Sequence, residues 1–202
     1  MQPSSSASTR DRILDVAMEL FSTRGFRGTS ITQIEKAAGL TPGAGGIYHH
    51  FRTKEELLRA GIARQLARLD AVRTIRDALG PLDDVRAELT ILARYTLAEL
   101  DRERELLQIM AAESRNHPEL LGVVGHAVFG DALRQFTEVL LRAGLEEARA
   151  PVIASLGFGA LASKKMVPIT FCVEGDSPFP EVDDDDYIDA WLDMVEAMIA
   201  TP

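Results

Sequence analysis

The sequence predicts an all-α protein, and three features of the chain indicate that fold class. Apolar residues recur at helical spacing through most of its length. Capping residues, glycines and prolines separate one periodic segment from the next. Strand-like patterns are rare. The exception is MVPITFCV at 166–173, which is either an extended segment or a helix end kinked at Pro168.

The first two helices are marked by their apolar faces and by their ends. In RDRILDVAMELFSTRG, one helix face carries Ile13, Leu14, Ala17, Leu20 and Phe21. Gly25 follows as a stop signal. The next segment opens with Ser30 as an N-cap, and Gln33 can complete a capping box. Gly39 ends this second helix.

A third and a fourth helix are predicted to follow at once. Thr41 can cap the third helix and Pro42 suits its first position, so the segment is predicted to be helical as far as Phe51. Thr53 and Glu56 form another capping-box pair at the start of a long helix. This long helix and those after it are predicted at about 54–79, 82–101, 103–115, 118–148, 151–165 and 185–200.

The composition is that of an ordinary globular chain. Of its 202 residues, 46% are hydrophobic and 26% are charged, which allows one or two compact domains. We find no apolar run of 18 residues and no apolar leader, so we expect no membrane span and no secretory signal. Residues 1–8 are expected to be a disordered tail. The one cysteine, Cys172, excludes an internal disulfide and is either a small core residue or a redox-sensitive thiol.

Charge is distributed unevenly along the chain. The net charge is −9, yet the segment up to Lys54 holds seven Lys and Arg against four Asp and Glu. The rest of the chain is therefore strongly acidic. A mildly basic N-terminal segment on an acidic body is compatible with a DNA-binding head, but the charge asymmetry does not establish one by itself.

The stretch TPGAGGIYHHF at 41–51 has three possible uses: a phosphate loop, a metal site or a DNA-binding turn. No Lys-Ser or Lys-Thr follows the glycines, which excludes a Walker loop, and Tyr48 stands where a dinucleotide fingerprint requires glycine. His49 and His50 are adjacent and would point about 100° apart on a helix, which disfavours metal binding. A tight turn between two short helices remains, which is the outline of a helix-turn-helix or of a plain helical bundle.

Four motifs within residues 9–60 resemble the DNA-binding head of the TetR family of transcriptional regulators. They are A-x-x-L-F-x-x-x-G-F at 17–26, T-S-I-x-x-I at 29–34, A-G-L-T at 38–41 and I-Y-H-H-F-x-x-K-E-E-L at 47–57. The resemblance covers about a quarter of the chain. It implies a three-helix helix-turn-helix domain at 9–54, followed by a helical effector-binding and dimerisation domain at 55–202.

The family pattern implies DNA contacts for particular residues of this head. Thr41 and the residues after it would open a recognition helix in the major groove, while Tyr48 and His49 would contact the DNA backbone. Lys54 and a hydroxyl at 29 or 30, all at helix starts, would meet phosphates, with plain helix capping as the alternative. The implied DNA-binding residues are Thr29, Ser30, Thr41, Pro42, Gly43, Ala44, Gly45, Tyr48, His49 and Lys54.

One departure from the family concerns the turn itself. The usual stretch from the glycine before the turn to the tyrosine is about two residues shorter than GLTPGAGGIY here. Each glycine inside a helix costs about 1 kcal/mol relative to alanine. Arg, Lys, Asn and Gln are absent from 41–51, so base reading is expected to depend on close backbone approach, on Thr41 and on DNA shape.

The resemblance also implies a homodimer and a small-molecule site in the body. An apolar stripe and a run of small residues on the last two helices suit a four-helix dimer interface, or else they face the protein's own core. The predicted interface residues are Leu156, Ala160, Ile188, Trp191, Leu192, Val195 and Met198. An apolar effector pocket, with core packing as the alternative, is predicted from Tyr95, Met110, Phe129 and Phe136.

The predicted function is that of a homodimeric repressor that binds an inverted-repeat operator in double-stranded DNA and is released by a small lipophilic effector. The alternative is a helical binding or scaffold protein whose head has lost sequence specificity. The sequence has no nucleophile elbow, metal motif or phosphate loop, so we expect no enzymatic activity, no cofactor and no bound metal. The expected location is the cytoplasm, without membrane attachment.

Overall fold

The computed structural model describes residues 8–80, 82–113, 116–171 and 180–201. These residues form helices and turns and contain no strand. The predicted tail, apart from Ser8, and Cys172 lie outside the described residues, as does the end of the 166–173 segment. The helices are α1 (Thr9–Gly28), α2 (Ile31–Ala37), α3 (Lys54–Leu79), α4 (Val85–Arg102), α5 (Arg104–Glu113), α6 (Pro118–Gly125), α7 (Asp131–Arg142), α8 (Ala150–Phe171) and α9 (Asp184–Ala200).

The N-terminal core forms where α1 packs against α2, α3 and α5. Its fully buried side chains come from all three predicted head helices and the start of α3, and include Ile13, Leu14, Phe21, Ile34, Ile47, Phe51 and Leu58. The body adds Leu106, Ile109 and Val124 to the same core. The head and the body are therefore packed as one unit rather than joined only through the chain.

The capping signals in the head are confirmed. The Gln33 N–H donates to Ser30 Oγ (3.2 Å), and the Ser30 N–H donates to Gln33 Oε1 (2.7 Å), which completes the capping box. The Glu56 N–H donates to the hydroxyl of Thr53 (3.0 Å), but the Glu56 carboxylate accepts from the Arg52 N–H (2.8 Å) rather than from the Thr53 N–H, so the second capping box is half formed. Gly25 breaks α1 with a left-handed φ of 73°, after which one more helical turn runs to Gly28.

A second core fills the body between α4, α7, α8 and α9. It contains Leu89, Ala93, Leu97, Phe136, Leu140, Ile153, Leu161, Ile188, Trp191 and Val195. The indole N–H of Trp191 donates to the Gly157 carbonyl (2.8 Å), and the Trp191 ring lies edge-on to Phe136 at 5.4 Å. These contacts satisfy the single polar atom of the buried indole.

Two predicted helix boundaries are wrong. The helix predicted over 118–148 is interrupted by a π-helical turn at His126–Gly130 and ends at Arg142, where Gly144 adopts a φ of 94°. The helix predicted over 151–165 instead continues through Pro168 to Phe171. The described part of the ambiguous 166–173 segment is therefore helical rather than extended.

One helix in the described part of the chain, Ala150–Thr170, is long and apolar enough to cross a membrane by length and composition alone, with a mean hydropathy of 1.3. It lies at the centre of the body, where α8 packs against α4, α5, α7 and α9. Its inward side chains Ile153, Ala154 and Leu161 are buried in the second core. About a third of this apolar window is buried inside the described structure.

Candidate nucleic-acid interface

The segment at 41–51 does not form the predicted recognition α-helix. Only Gly46–His49 is helical, as a single 3₁₀ turn. Gly43 and Gly45 adopt left-handed φ angles of 77° and 74°, which no continuous right-handed helix can contain. Glycine makes this backbone accessible, and the three glycines lower the stability of the helical alternative. The helix-turn-helix therefore presents a looped turn where a helix was predicted.

A buried carboxylate holds this turn in place. Glu35 of α2 is only 1% exposed, and its Oε2 accepts a hydrogen bond of 2.7 Å from the Gly43 N–H. The sequence analysis missed this contact. The available signal was helical spacing, because Glu35 follows Ile31 by four residues and therefore lies on the apolar face of α2.

Most of the predicted DNA-contact residues lie on the outer surface of the head. Tyr48 has 56% of its surface exposed. Gly45 is half-buried, and the other exposed positions are Ser30, Thr41, Pro42, Gly43, Ala44 and His49. Thr29 is an exception, because its side chain is buried and its hydroxyl donates to the carbonyls of Leu20 (3.1 Å) and Gly25 (2.9 Å). Of the two hydroxyls predicted at the start of α2, that of Thr29 is directed into the head, and that of Ser30 faces outward.

Lys54 is directed into the head. Its ammonium donates to the carbonyls of Phe26 (2.7 Å) and Thr29 (2.9 Å), and it lies 4.3 Å from the centre of the Phe26 ring. A phosphate contact would have to compete with these bonds. In this structure Lys54 joins the start of α3 to the end of α1 and so positions α2.

Two arginines of α1 also brace the turn, and neither was predicted as a site residue. The Arg12 Nε–H donates to the Ala38 carbonyl (2.9 Å) at the end of α2. The Arg10 guanidinium lies 5.0 Å from the centre of the Phe51 ring, just after the 3₁₀ turn. Both ends of the turn are therefore tied to α1 by cationic side chains.

Comparisons with known proteins agree with this geometry. Residues 13–60 match the family model described as "Bacterial regulatory proteins, tetR family". The N-terminal quarter of the chain is therefore similar to the regulatory proteins of the TetR family. The transcriptional regulator UidR of Escherichia coli K12 is 32% identical over 108 residues, which are 54% of this chain and 53% of UidR. The chain thus matches about half the length of this curated relative.

Two further TetR-family similarities extend over most of the chain. The transcriptional repressor KstR2 of Rhodococcus jostii is 26% identical over 179 residues, covering 86% of this chain and 84% of the repressor. A TetR-family regulator from Mesorhizobium loti has a solved structure with a TM-score of 0.70 and 23% identity over 98% of both chains. The predicted all-α architecture is confirmed.

Glu113 at the end of α5 connects the body to the head. Its Oε1 accepts a hydrogen bond from the Phe26 N–H (3.2 Å), and its Oε2 accepts one from the Asn116 side-chain amide (2.9 Å). The His117 ring lies edge-on to the Phe26 ring at 5.4 Å. Phe26 is thus held by Glu113 from the body and by Lys54 from α3. The kinked end of α1 is the joint between the two parts.

The body contains a small cavity of about 30 Å³ between α4, α7 and α8. Among the predicted effector residues, Tyr95 lines it. Met110 lines a separate gap of about 10 Å³ beside the head. Phe136 is a core side chain packed between Phe158 and Trp191. Phe129 packs on Phe158 but does not line the cavity. For Phe136 the core-packing alternative is correct.

The predicted dimer stripe on α9 faces the protein's own core. Ile188, Trp191, Leu192 and Val195 are buried within the single chain, and Ala160 and Met198 are half-buried against them. Leu156 differs, because 58% of its surface is exposed. The exposed apolar side chains on the outer faces of α8 and α9 are Val152, Leu156 and Met194.

The described residues contain no group of three or more His, Cys, Asp or Glu side chains that could hold a metal ion. His49 and His50 are both exposed and lie at the end of the 3₁₀ turn, on the candidate DNA surface.

Proposed function

We propose that this chain is a homodimeric repressor that binds an inverted-repeat operator through the turn at 41–50. The observation that carries the proposal is the exposed turn itself, held on a rigid head by the Glu35 carboxylate and the Arg12 guanidinium. A polar, solvent-facing turn with so many internal restraints is suited to contact a partner in a fixed geometry. Within this family the partner is double-stranded DNA.

The chemistry of the turn favours reading by backbone and shape. Glycines at 43, 45 and 46 let the main chain approach a groove closely, and Thr41 and Tyr48 supply hydroxyl groups. Three exposed cations, Arg27, Lys36 and Arg52, lie on the helices and loops around the turn and can meet phosphates. This division assigns affinity to the flanking charges and specificity to the turn.

Dimerisation would place two such turns on one face of DNA. We propose that the outer faces of α8 and α9 form the interface, with Leu156 near its centre, because exposed apolar side chains are concentrated there. The variant Leu156→Glu should be monomeric in analytical ultracentrifugation and should bind operator much more weakly. Ile91→Glu is the matched control, since Ile91 is equally apolar and 56% exposed but lies on α4. A dimeric Leu156→Glu variant would contradict this interface.

An effector would act through the cavity in the body. We propose that a small apolar molecule enters beside Tyr95 and favours a conformation with lower affinity for operator. The Glu113–Phe26 joint is the direct polar contact through which movement of α5 would reach the end of α1. A cytoplasmic location fits a protein of this function.

Selection of bound duplexes from a random DNA pool at near-physiological salt tests the proposal. An enriched inverted repeat, with half-sites about one helical turn apart, is the expected result. Salt-sensitive binding without any enriched sequence would instead favour the helical binding or scaffold protein whose head has lost specificity. The same selection with Leu156→Glu should lose the repeat, because a monomer reads one half-site.

A further inference from the structure

We infer that the cavity between α4, α7 and α8 is a site for a lipophilic cation, and that anionic amphiphiles are excluded from it. The inference rests on the proposed function, since it names the effector class of that repressor. It goes beyond that proposal because it derives the charge of the ligand from this chain's own residues. The described lining consists of Leu92, Tyr95, Thr96, Glu99, Leu100, Val128, Asp131, Ala132, Gln135 and Phe158.

Both charged side chains in this lining are acids. The side chains of Glu99 and Asp131 are only 12% and 21% exposed. Each carboxylate pairs with an arginine of its own helix, at 3.1 Å for Arg102 and 2.7 Å for Arg134. Both arginines are more than half exposed, and neither lines the cavity. A ligand in the cavity therefore meets carboxylates, while the guanidinium groups remain in solvent.

The remaining wall suits the same class of ligand. Leu92, Leu100, Val128 and Ala132 supply apolar surface, and two rings, Tyr95 and Phe158, supply π faces that attract a cation in a desolvated site. An anion would lose its hydration here and gain no Lys or Arg partner among the described lining residues. Burial beside two acids would add repulsion.

A buried polar atom indicates that the site is incomplete without a ligand. The Gln135 Nε2 is buried and has no hydrogen-bond acceptor among the described residues. Leaving such a donor unpaired costs about 1–3 kcal/mol. An oxygen acceptor on the bound molecule would remove this cost, so the ligand is expected to carry one in addition to its positive charge.

The cavity must widen to admit such a molecule, because about 30 Å³ holds no more than a water molecule. The adjacent π-helical turn at His126–Gly130 offers a way to widen the cavity. It carries Val128 of the lining, and open space surrounds the flanking Gly125 and Gly130. A π turn contains one residue more than an α turn and can return to α geometry. Such a shift would move α6, whose Val124 is fully buried in the head core.

The test compares three ligands with the same ten-carbon chain: decyltrimethylammonium, decanol and decanoate. Calorimetric titration of the full-length protein, below the concentrations at which these compounds form micelles, should give the tightest binding for the cation. We expect its Kd to be at least about tenfold lower than that of decanoate, which corresponds to ~1.4 kcal/mol. Decanoate binding as tightly as the cation would overturn the inference, and so would failure of all three compounds to bind.

Two variants assign the preference to the lining acids. Glu99→Gln and Asp131→Asn should each reduce the preference for the cation over decanol, while Glu147→Gln, an exposed carboxylate outside the lining, should keep it. Operator binding without ligand is measured on the same samples. A protein that binds operator but not the cation refutes the inference and leaves the repressor proposal intact. A protein that binds the cation but no operator supports the ligand class inferred for the cavity and contradicts the repressor proposal.

Discussion

Replacement of Glu113 by alanine tests whether the joint between head and body contributes to stability. The buried carboxylate accepts hydrogen bonds from the Phe26 N–H (3.2 Å) and the Asn116 amide (2.9 Å). Phe26 is itself buried, so truncation removes the side-chain acceptor of its amide. An unsatisfied buried donor costs about 1–3 kcal/mol, and a hydrogen bond to a charged group is worth about 1.5–3 kcal/mol. We therefore expect Glu113→Ala to lower the free energy of unfolding by about 2–3 kcal/mol.

The change is measured by urea denaturation and by the melting temperature. For a chain of this length, each kcal/mol corresponds to roughly 2–4 °C, so the Tm should fall by about 4–12 °C. Glu113→Gln keeps an acceptor of nearly the same shape and should lose clearly less. Glu147→Ala, at an exposed position, is the control for loss of a carboxylate. A Glu113→Ala protein within about 0.5 kcal/mol of the parent would refute this account of the joint, since that is the range of neutral surface changes.

Three further predictions concern the turn, the clamp and a buried acid. Gly43→Ala forces a φ of 77° on a residue with a Cβ, a strain of about 1–2 kcal/mol, and should weaken operator binding in fluorescence anisotropy. Gly122→Ala, in a helix with open space around it, is its control, and equal affinities would contradict the role of the turn. Lys54→Met should lower the Tm but leave the salt dependence of operator affinity unchanged. A slope of log affinity against log salt concentration that is reduced by about one would instead show that Lys54 contacts a phosphate. Burial raises the pKa of Glu103 above its ordinary value of 4.5, so its stabilising contribution is complete below that value and is lost as the pH rises through the folded-state pKa. Glu103→Gln should therefore raise the Tm relative to the parent near neutral pH, and an equal gain at about pH 4 would refute this cause.

The helix starts were predictable because their signals are local. The Ser30 and Gln33 side chains satisfy backbone groups within three residues of themselves, and the same holds for the contact of Thr53 with the Glu56 N–H. Such contacts form in any tertiary setting. The start of α3 at Lys54 and its end at Leu79 were predicted correctly for the same reason: a capping pair and a glycine-proline pair bound the helix.

The partner of an apolar helix face was not predictable in the same way. The periodicity of α9 specifies an apolar face but not whether that face meets this chain or a second copy. The small residues of α8 were assigned to a dimer contact, yet Gly157 accommodates the indole of Trp191 within the chain. A Cβ added at Gly157 would lie 3.4 Å from Trp191 Cζ2. Among the predicted interface residues, Leu156 is the one that the structure exposes on the outer surface of α8.

The recognition turn depends on a contact between residues too far apart for a local pattern to connect. Thr41 and Pro42 are good helix-start signals, and these favoured a helix over 41–51. Against them, the left-handed backbone at Gly43 directs its N–H to Glu35, eight residues earlier and on the buried face of α2. The Glu35 carboxylate thereby stabilises the non-helical turn. The glycines act in the same direction, because they destabilise the helical alternative. Because that acceptor belongs to the folded head, the turn is formed before any DNA arrives, and operator binding need not supply the free energy of ordering it.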